Sequence, residues 1–211
     1  MNNLLQGGVT MIGIEYSVFT TFVSNRIPSD SETEQLIKWC KIANTHGLVP
    51  GTDGNISSRI KPGRKNFFIT ATETNLSEEL SPEDFVKINS ANIKEQTNKA
   101  EGIKRPSREI FVHSTIYRER PEINAIIHGH SEQILNNFKH LKKISNLPIV
   151  CTANAVRPGS LELVYSVKEV LYHKCNFIIM KEHGFLSLGK DLDEAGLLAL
   201  NMLNYSTMLS T

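Results

Sequence analysis

Two histidines one residue apart, His128 and His130, close the short apolar run Asn124-Ala-Ile-Ile-His128. A run of that length and composition predicts a buried strand, and side chains two apart on a strand share a face. Imidazoles placed that way can aim their ring nitrogens at one divalent ion, roughly 2.0–2.1 Å from each nitrogen for zinc. The motif is short, however, and a pair of ordinary histidines satisfies it equally well. Upstream, Arg105-Pro106-Ser107 predicts a helix start with Ser107 as its cap. Glu109 then falls in the first turn, where the positive helix end favours a carboxylate. His113 is four residues on, on the same face and in reach of Glu109, and reads as structural.

Two further stretches carry groups able to hold a ligand. Gly51-Thr-Asp-Gly54-Asn55 predicts a tight turn that presents backbone N–H groups and the Asn55 amide to an anion, although a hairpin turn without function has the same composition. Thr70-Ala-Thr72-Glu73-Thr74 is a hydroxyl-rich exit from the predicted strand Asn66–Thr70, suited to lining a pocket or capping a turn.

The elements that must position these groups alternate along the chain. Ser29-Asp-Ser-Glu32 caps a helix running to about His46, with Leu36, Ile37, Cys40 and Ala43 as its apolar stripe and Trp39 in the core. Phe85–Ile88 predicts a brief strand, and residues 89–103 a polar connection or hairpin. A helix from Ser131 to Phe138 precedes the basic, solvated stretch Lys139–Lys143, where His140 reads as a surface residue. Leu147–Cys151 and Asn176–Met180 predict strands, Leu161 to about His173 a helix, and Lys181–Phe185 a turn. Phe185–Leu188 resumes extended, and Asp191 to about Met208 closes as a helix. Residues 1–30 show no convincing period and read as an N-terminal extension to a domain spanning 31–211.

Composition narrows the class of function. The chain has 211 residues, 40% hydrophobic, with a net charge of +1 and no basic cluster, which argues against nucleic acid or an anionic membrane as partner. Cys40, Cys151 and Cys175 are odd in number and widely spaced, so they read as small buried hydrophobes in a reducing compartment. With no apolar run of membrane-spanning length and no clear signal peptide, a cytoplasmic protein is expected.

Five stretches in one order resemble the class II aldolase/adducin family: Gly51-Thr-Asp-Gly-Asn55-Ile-Ser, Ile69-Thr-Ala-Thr72, Ser107-Arg-Glu109 with His113, Arg120-Pro-Glu-Ile-Asn-Ala-Ile-Ile-His128-Gly-His130, and Glu182-His183-Gly184. The likeness runs from about residue 33 to 205. It implies that His128, His130 and His183 bind a metal, Zn2+ or another divalent ion such as Mn2+, Fe2+ or Co2+, and that Glu109 is the catalytic acid/base. It implies that Asn55, Thr72 and Ser107 line a substrate phosphate pocket, with Arg108 beside them. The implied fold is α/β, an αβα three-layer arrangement with a central, largely antiparallel sheet. Such chains usually assemble as a cyclic homotetramer with sites at subunit boundaries. The implied activity is aldol cleavage of a ketose or sugar phosphate through a metal-stabilised enediolate. A methylthioribulose-1-phosphate dehydratase or a sugar-phosphate epimerase would use the same ion, and an adducin-like domain would only bind partners. The retained Glu109 argues against the epimerase, and the complete histidine set against the binding domain.

Two positions depart from the family pattern: Glu73 stands where glycine usually follows the threonine, and Arg108 where a second serine usually precedes the acid/base. There is also no tyrosine between His130 and Tyr165 to match the one a neighbouring subunit contributes in fuculose-phosphate aldolases. Tyr205 is a candidate substitute.

Overall fold

The computed structural model describes residues 18–144 and 148–209. Nine strands form one sheet: β1 (Phe19–Ser24), β2 (Gly54–Arg59), β3 (Phe67–Thr70), β4 (Phe85–Asn92), β5 (Thr97–Glu101), β6 (Ala125–Gly129), β7 (Ile149–Cys151), β8 (Phe177–Met180) and β9 (Gly184–Gly189), in the spatial order β1-β5-β4-β3-β2-β6-β9-β8-β7. Only the two outermost pairings, β1 with β5 and β7 with β8, are parallel. The other six are antiparallel.

Helices α1 (Asp30–Thr45), α3 (Glu132–Ile144) and α5 (Leu192–Met208) cover one face, and α2 (Ile110–Glu119) and α4 (Leu161–Val170) the other. The period-2 alternation of the strands assigns side chains to the two faces. Phe68, Ile127, Ile179 and Phe185 pack with Leu36, Trp39, Ala199 and Met202. Their neighbours Ile69, Ile126, Ile178 and Leu186 pack with Phe111, Ile116 and Leu163. Both faces are therefore dry, which is why β3, β6 and β8 read as nearly unbroken apolar runs. At about 1.5–3 kcal/mol per fully buried large apolar side chain, these two layers dominate the stability of the fold. The expected αβα architecture with a largely antiparallel sheet is the one observed.

Several boundaries differ from expectation. The predicted brief strand at Phe85–Ile88 continues to Asn92 and turns into β5, so much of the polar stretch is a hairpin. Near the sheet edge its outward side chains meet water, which removes the apolar alternation. Helix α3 runs through Lys139–Lys143 because Leu141 is buried on its inner side while the lysines face solvent. Helix α2 begins at Ile110 with Glu109 as its cap residue, and Ser107 instead accepts a bond from the Glu109 amide at 3.3 Å. Strand β1 lies within residues 1–30, and residues 1–17 fall outside the described residues. Among the described residues, no helix is long and apolar enough to cross a membrane.

Candidate metal centre

Strand β6 carries His128 at its buried end, on the same face as Ile126 and towards α2. His130 follows just beyond the strand, and its amide is held by the Leu48 carbonyl at 3.1 Å. His183 comes from the turn between β8 and β9, and pairing of β6 with β9 brings that turn alongside. Close approach requires glycine here: a Cβ on Gly129 would lie 2.1 Å from the Leu48 oxygen, and one on Gly184 2.6 Å from the Gly129 oxygen and 2.8 Å from His128 Cε1. Glu109 enters from the start of α2, opposite the strand ends.

The ring nitrogens converge. His130 Nε2 is 2.9 Å from His128 Nε2, and His183 Nε2 is 3.3 Å from it. The carboxylate of Glu109 closes the cluster, with Oε2 3.0 Å from His128 Nε2 and Oε1 2.9 Å from His183 Nε2. A carbonyl can only accept, so the 2.9 Å contact between His128 Nδ1 and the Phe185 oxygen places the proton on Nδ1. The Nε2 of a neutral His128 is then a lone pair facing a carboxylate, acceptor against acceptor. Burial holds His128 below the ordinary histidine range against the pull of Glu109, and it pushes His130 down to about 3 with help from His128 and His183. A buried carboxylate facing the lone pair of His128 would be matched by one divalent cation held by His128, His130 and His183, whose ligand nitrogens lie within 4.8 Å of one another. Burial would raise the Glu109 carboxyl; positive charge on the histidine side of the cluster opposes that and holds Glu109 below the usual carboxylate range.

A cavity of about 380 Å³ opens beside this cluster. All eight residues singled out from sequence line it: Asn55, Thr72, Ser107, Arg108, Glu109, His128, His130 and His183. Asn55 Nδ2 donates to Glu109 Oε2 at 3.3 Å. Tyr205 is exposed on α5 and does not line the cavity. Sequence reasoning missed Asp53 and Pro158-Gly159, which also line it. Gly159 was visible only as the loop before α4.

The His113 imidazole does not hydrogen-bond the Glu109 carboxylate, although its backbone amide donates to the Glu109 carbonyl at 3.2 Å. Its Nδ1 is instead 2.7 Å from Ser57 Oγ, which is itself 2.7 Å from the Tyr117 hydroxyl, all fully buried. Burial depresses His113 from 6.5 to about 3. An unfolded histidine takes its proton near 6.5 and the folded one refuses it until about 3, so the unfolded state binds more protons between those values. Stability contributed by neutral His113 is therefore full above pH 6.5 and lost as pH falls, by about 1.4 kcal/mol per pH unit. Urea unfolding of metal-loaded protein at pH 7 and pH 5 should show this loss, and His113→Gln should reduce its slope. An unchanged slope would mean that His113 is already charged in the fold.

Glu73 occupies the left-handed region at φ +61°, where a glycine is at ease and a β-carbon is strained. Glu73→Gly should raise stability by about 0.5–1 kcal/mol, or about 1–4 °C in Tm, once glycine's extra freedom in the unfolded chain is subtracted. A fall in Tm on thermal melting would show that the Glu73 side chain makes stabilising contacts.

The family model of the class II aldolase and adducin N-terminal domain matches residues 34–208. A methylthioribulose-1-phosphate dehydratase from Methylococcus capsulatus is 26% identical over 185 residues, covering 79% of this chain and 86% of its own. An L-fuculose phosphate aldolase from Methanococcus maripaludis is 31% identical over 170 residues, covering 76% and 86%. A sugar-phosphate aldolase structure from Thermotoga maritima superposes with a TM-score of 0.71 at 20% identity, covering 85% of this chain and 93% of that one, a likeness of fold.

Proposed function

The chain belongs to the class II aldolase and adducin family, and we propose that it is a metal-dependent lyase that cleaves a ketose or sugar phosphate by retro-aldol chemistry. The observation that carries this reading is the convergence of three imidazole Nε2 atoms and the Glu109 carboxylate at one wall of a cavity large enough for a small sugar. His128, His130 and His183 would hold the cation, Zn2+ or Mn2+, Fe2+ or Co2+ according to supply. When bound, that ion polarises a substrate carbonyl and offsets the negative charge that builds on its oxygen.

The remaining work falls to the chain's own groups. Glu109, ionised at neutral pH, takes the proton from the substrate hydroxyl next to the bond that breaks, and returns a proton to the carbon fragment that leaves. Asn55 orients Glu109 through the 3.3 Å bond to Oε2. Thr72 and Ser107 present hydroxyls to the substrate's own hydroxyl groups, and Arg108 stands at the cavity rim. A cytoplasmic homotetramer belongs to the same reading.

A dehydratase is the second reading, favoured by the Methylococcus capsulatus relative of that name. There Glu109 would take a proton from carbon and a hydroxyl would leave as water. Incubating zinc-loaded protein with L-fuculose 1-phosphate and with 5-methylthioribulose 1-phosphate separates the two by mass spectrometry. Two fragments mean cleavage, and one product lighter by a water means dehydration. Intact substrate together with no bound metal would favour an adducin-like binding domain.

A further inference from the structure

Strand β2 and helix α2 meet along a buried polar seam that leads away from the histidine cluster. Asn55, Ser57 and Arg59 alternate along one face of β2, and Asn55 pairs with His128 at the head of the seam. Across from them, Glu109 caps α2, and His113 and Tyr117 follow at one-turn intervals. The contacts run in register. Asn55 Nδ2 meets Glu109 Oε2 at 3.3 Å, and Ser57 Oγ meets both His113 Nδ1 and the Tyr117 hydroxyl at 2.7 Å. The Arg59 guanidinium lies over the Tyr117 ring, 4.6 Å from its centroid. All six side chains are buried.

The protons along this seam can be placed. The Tyr117 hydroxyl is 3.5 Å from the Asn124 oxygen, too far for a normal O–H···O bond, so its proton points to Ser57 Oγ. Ser57 accepts there and gives its own proton to its other partner, His113 Nδ1. Burial keeps His113 neutral, and a neutral imidazole that accepts at Nδ1 carries its proton on Nε2. That N–H is a buried donor with no hydrogen-bond partner among the described residues.

Such a donor is costly, so its acceptor is to be sought among the buried polar atoms that are likewise unpartnered. These are Asn55 Oδ1, Asn98 Oδ1, Ser114 Oγ, Thr115 Oγ1 and His183 Nδ1. Ser114 and Thr115 follow His113 directly on α2 and point to other sides of the helix. Asn98 belongs to β5, three strands away from β2. His183 turns Nε2 to the cluster, which leaves Nδ1 as the proton-bearing nitrogen of a neutral ring, a second donor. Asn55 Oδ1 remains, on the seam and two residues from Ser57. The charges of Glu109 and His128 both reach His113, which sets its ring within range of this wall.

We infer that one buried water joins His113 Nε2 to Asn55 Oδ1, accepting from the ring and donating to the amide oxygen, so that His113 is a positioning residue for the wall of the site. The bridge fixes which way the amide faces. Oδ1 is held inward and Nδ2 outward, toward Glu109 and the cavity, where its second hydrogen is left for a substrate oxygen. Without the bridge the amide can turn over and set its oxygen against the Glu109 carboxylate, repelling the base it should steady. The inference rests on the reading of Glu109 as the acid/base.

The test compares His113→Gln with His113→Asn. A glutamine amide reaches as far as Nε2 and can still donate there, whereas an asparagine amide reaches only as far as Nδ1 and can still meet Ser57. Both variants give up the ring and should lose similar Tm, but His113→Asn should lower kcat about tenfold, the weight of one hydrogen bond, while His113→Gln keeps most of it. Tyr117→Phe leaves Ser57 able to donate to Nδ1 and should turn over as the parent does. Two NMR readouts stand apart from turnover. In isotope-labelled, zinc-loaded protein the His113 ring should carry its proton on Nε2, and the Asn55 side-chain amide signals should move in His113→Asn and hold in His113→Gln. A proton on Nδ1, an equal loss of turnover in both variants, or Asn55 signals unmoved by His113→Asn would each overturn the inference. If the parent turns over no sugar phosphate, the lyase reading fails, and the ring proton and the amide signals still decide the bridge.

Discussion

Glu109→Gln should leave metal content unchanged and lower kcat by about 10²–10⁴, the range expected when a positioned proton-transfer group is lost. Glutamine keeps the size of the side chain and an oxygen to face the histidine cluster, so the pocket keeps its shape. What it loses is a group that can pick up and release a proton. In the native protein this carboxyl sits below its ordinary range, because positive charge on the histidine side of the cluster outweighs the effect of burial. It therefore meets substrate as a base. Metal analysis and steady-state kinetics on one preparation check both halves of the prediction. Parent-like turnover would remove Glu109 from the acid/base role, and loss of the ion would make it chiefly a metal-holding group.

A second large effect is expected at His128. Protein purified without added metal should carry about one equivalent of divalent ion, and His128→Ala about none, with turnover lost alongside. This histidine is central to the cluster: it lies 2.9 Å from His130 Nε2, 3.3 Å from His183 Nε2 and 3.0 Å from Glu109. Removing it also abandons the bond to the Phe185 oxygen and leaves a void in a buried layer, so a stability loss of about 1–3 kcal/mol is expected as well. Chelation separates these consequences. A chelator should lower the Tm of the parent, whose native state alone binds the ion, and leave the variant's Tm where it was. Full occupancy in His128→Ala would show that the ion is held elsewhere.

Much of this candidate site was legible because several of its side chains come from locally rigid, compositionally clear pieces. The apolar run before His128 could only be a buried strand, and its parity put His128 on the face of Ile126, which is the face Glu109 occupies. His183 was different. Nothing local distinguishes it from any histidine in a turn, and its place in the cluster depends on the pairing of β6 with β9. Strand β1 was illegible because most of its residues are exposed, so no alternation marks it. His113 was read as structural, and the bond of its ring to Ser57 rather than Glu109 follows from β2 lying next to β6.

The pairing that brings His183 to His128 has a consequence in time. These two histidines are 55 residues apart, and the strands that join them are neighbours only in the finished sheet. Contacts of such long sequence separation form late, because the loop between them must be closed first. A chain still emerging from the ribosome with β6 complete but β9 unmade offers only the His128–His130 pair, too few ligands to hold an ion firmly. If these histidines hold the ion, loading is expected to follow synthesis, with no template role for the ion in folding. In a refolding experiment, zinc uptake from a chromogenic chelator should track the slowest folding phase, and uptake ahead of that phase would refute this order of events.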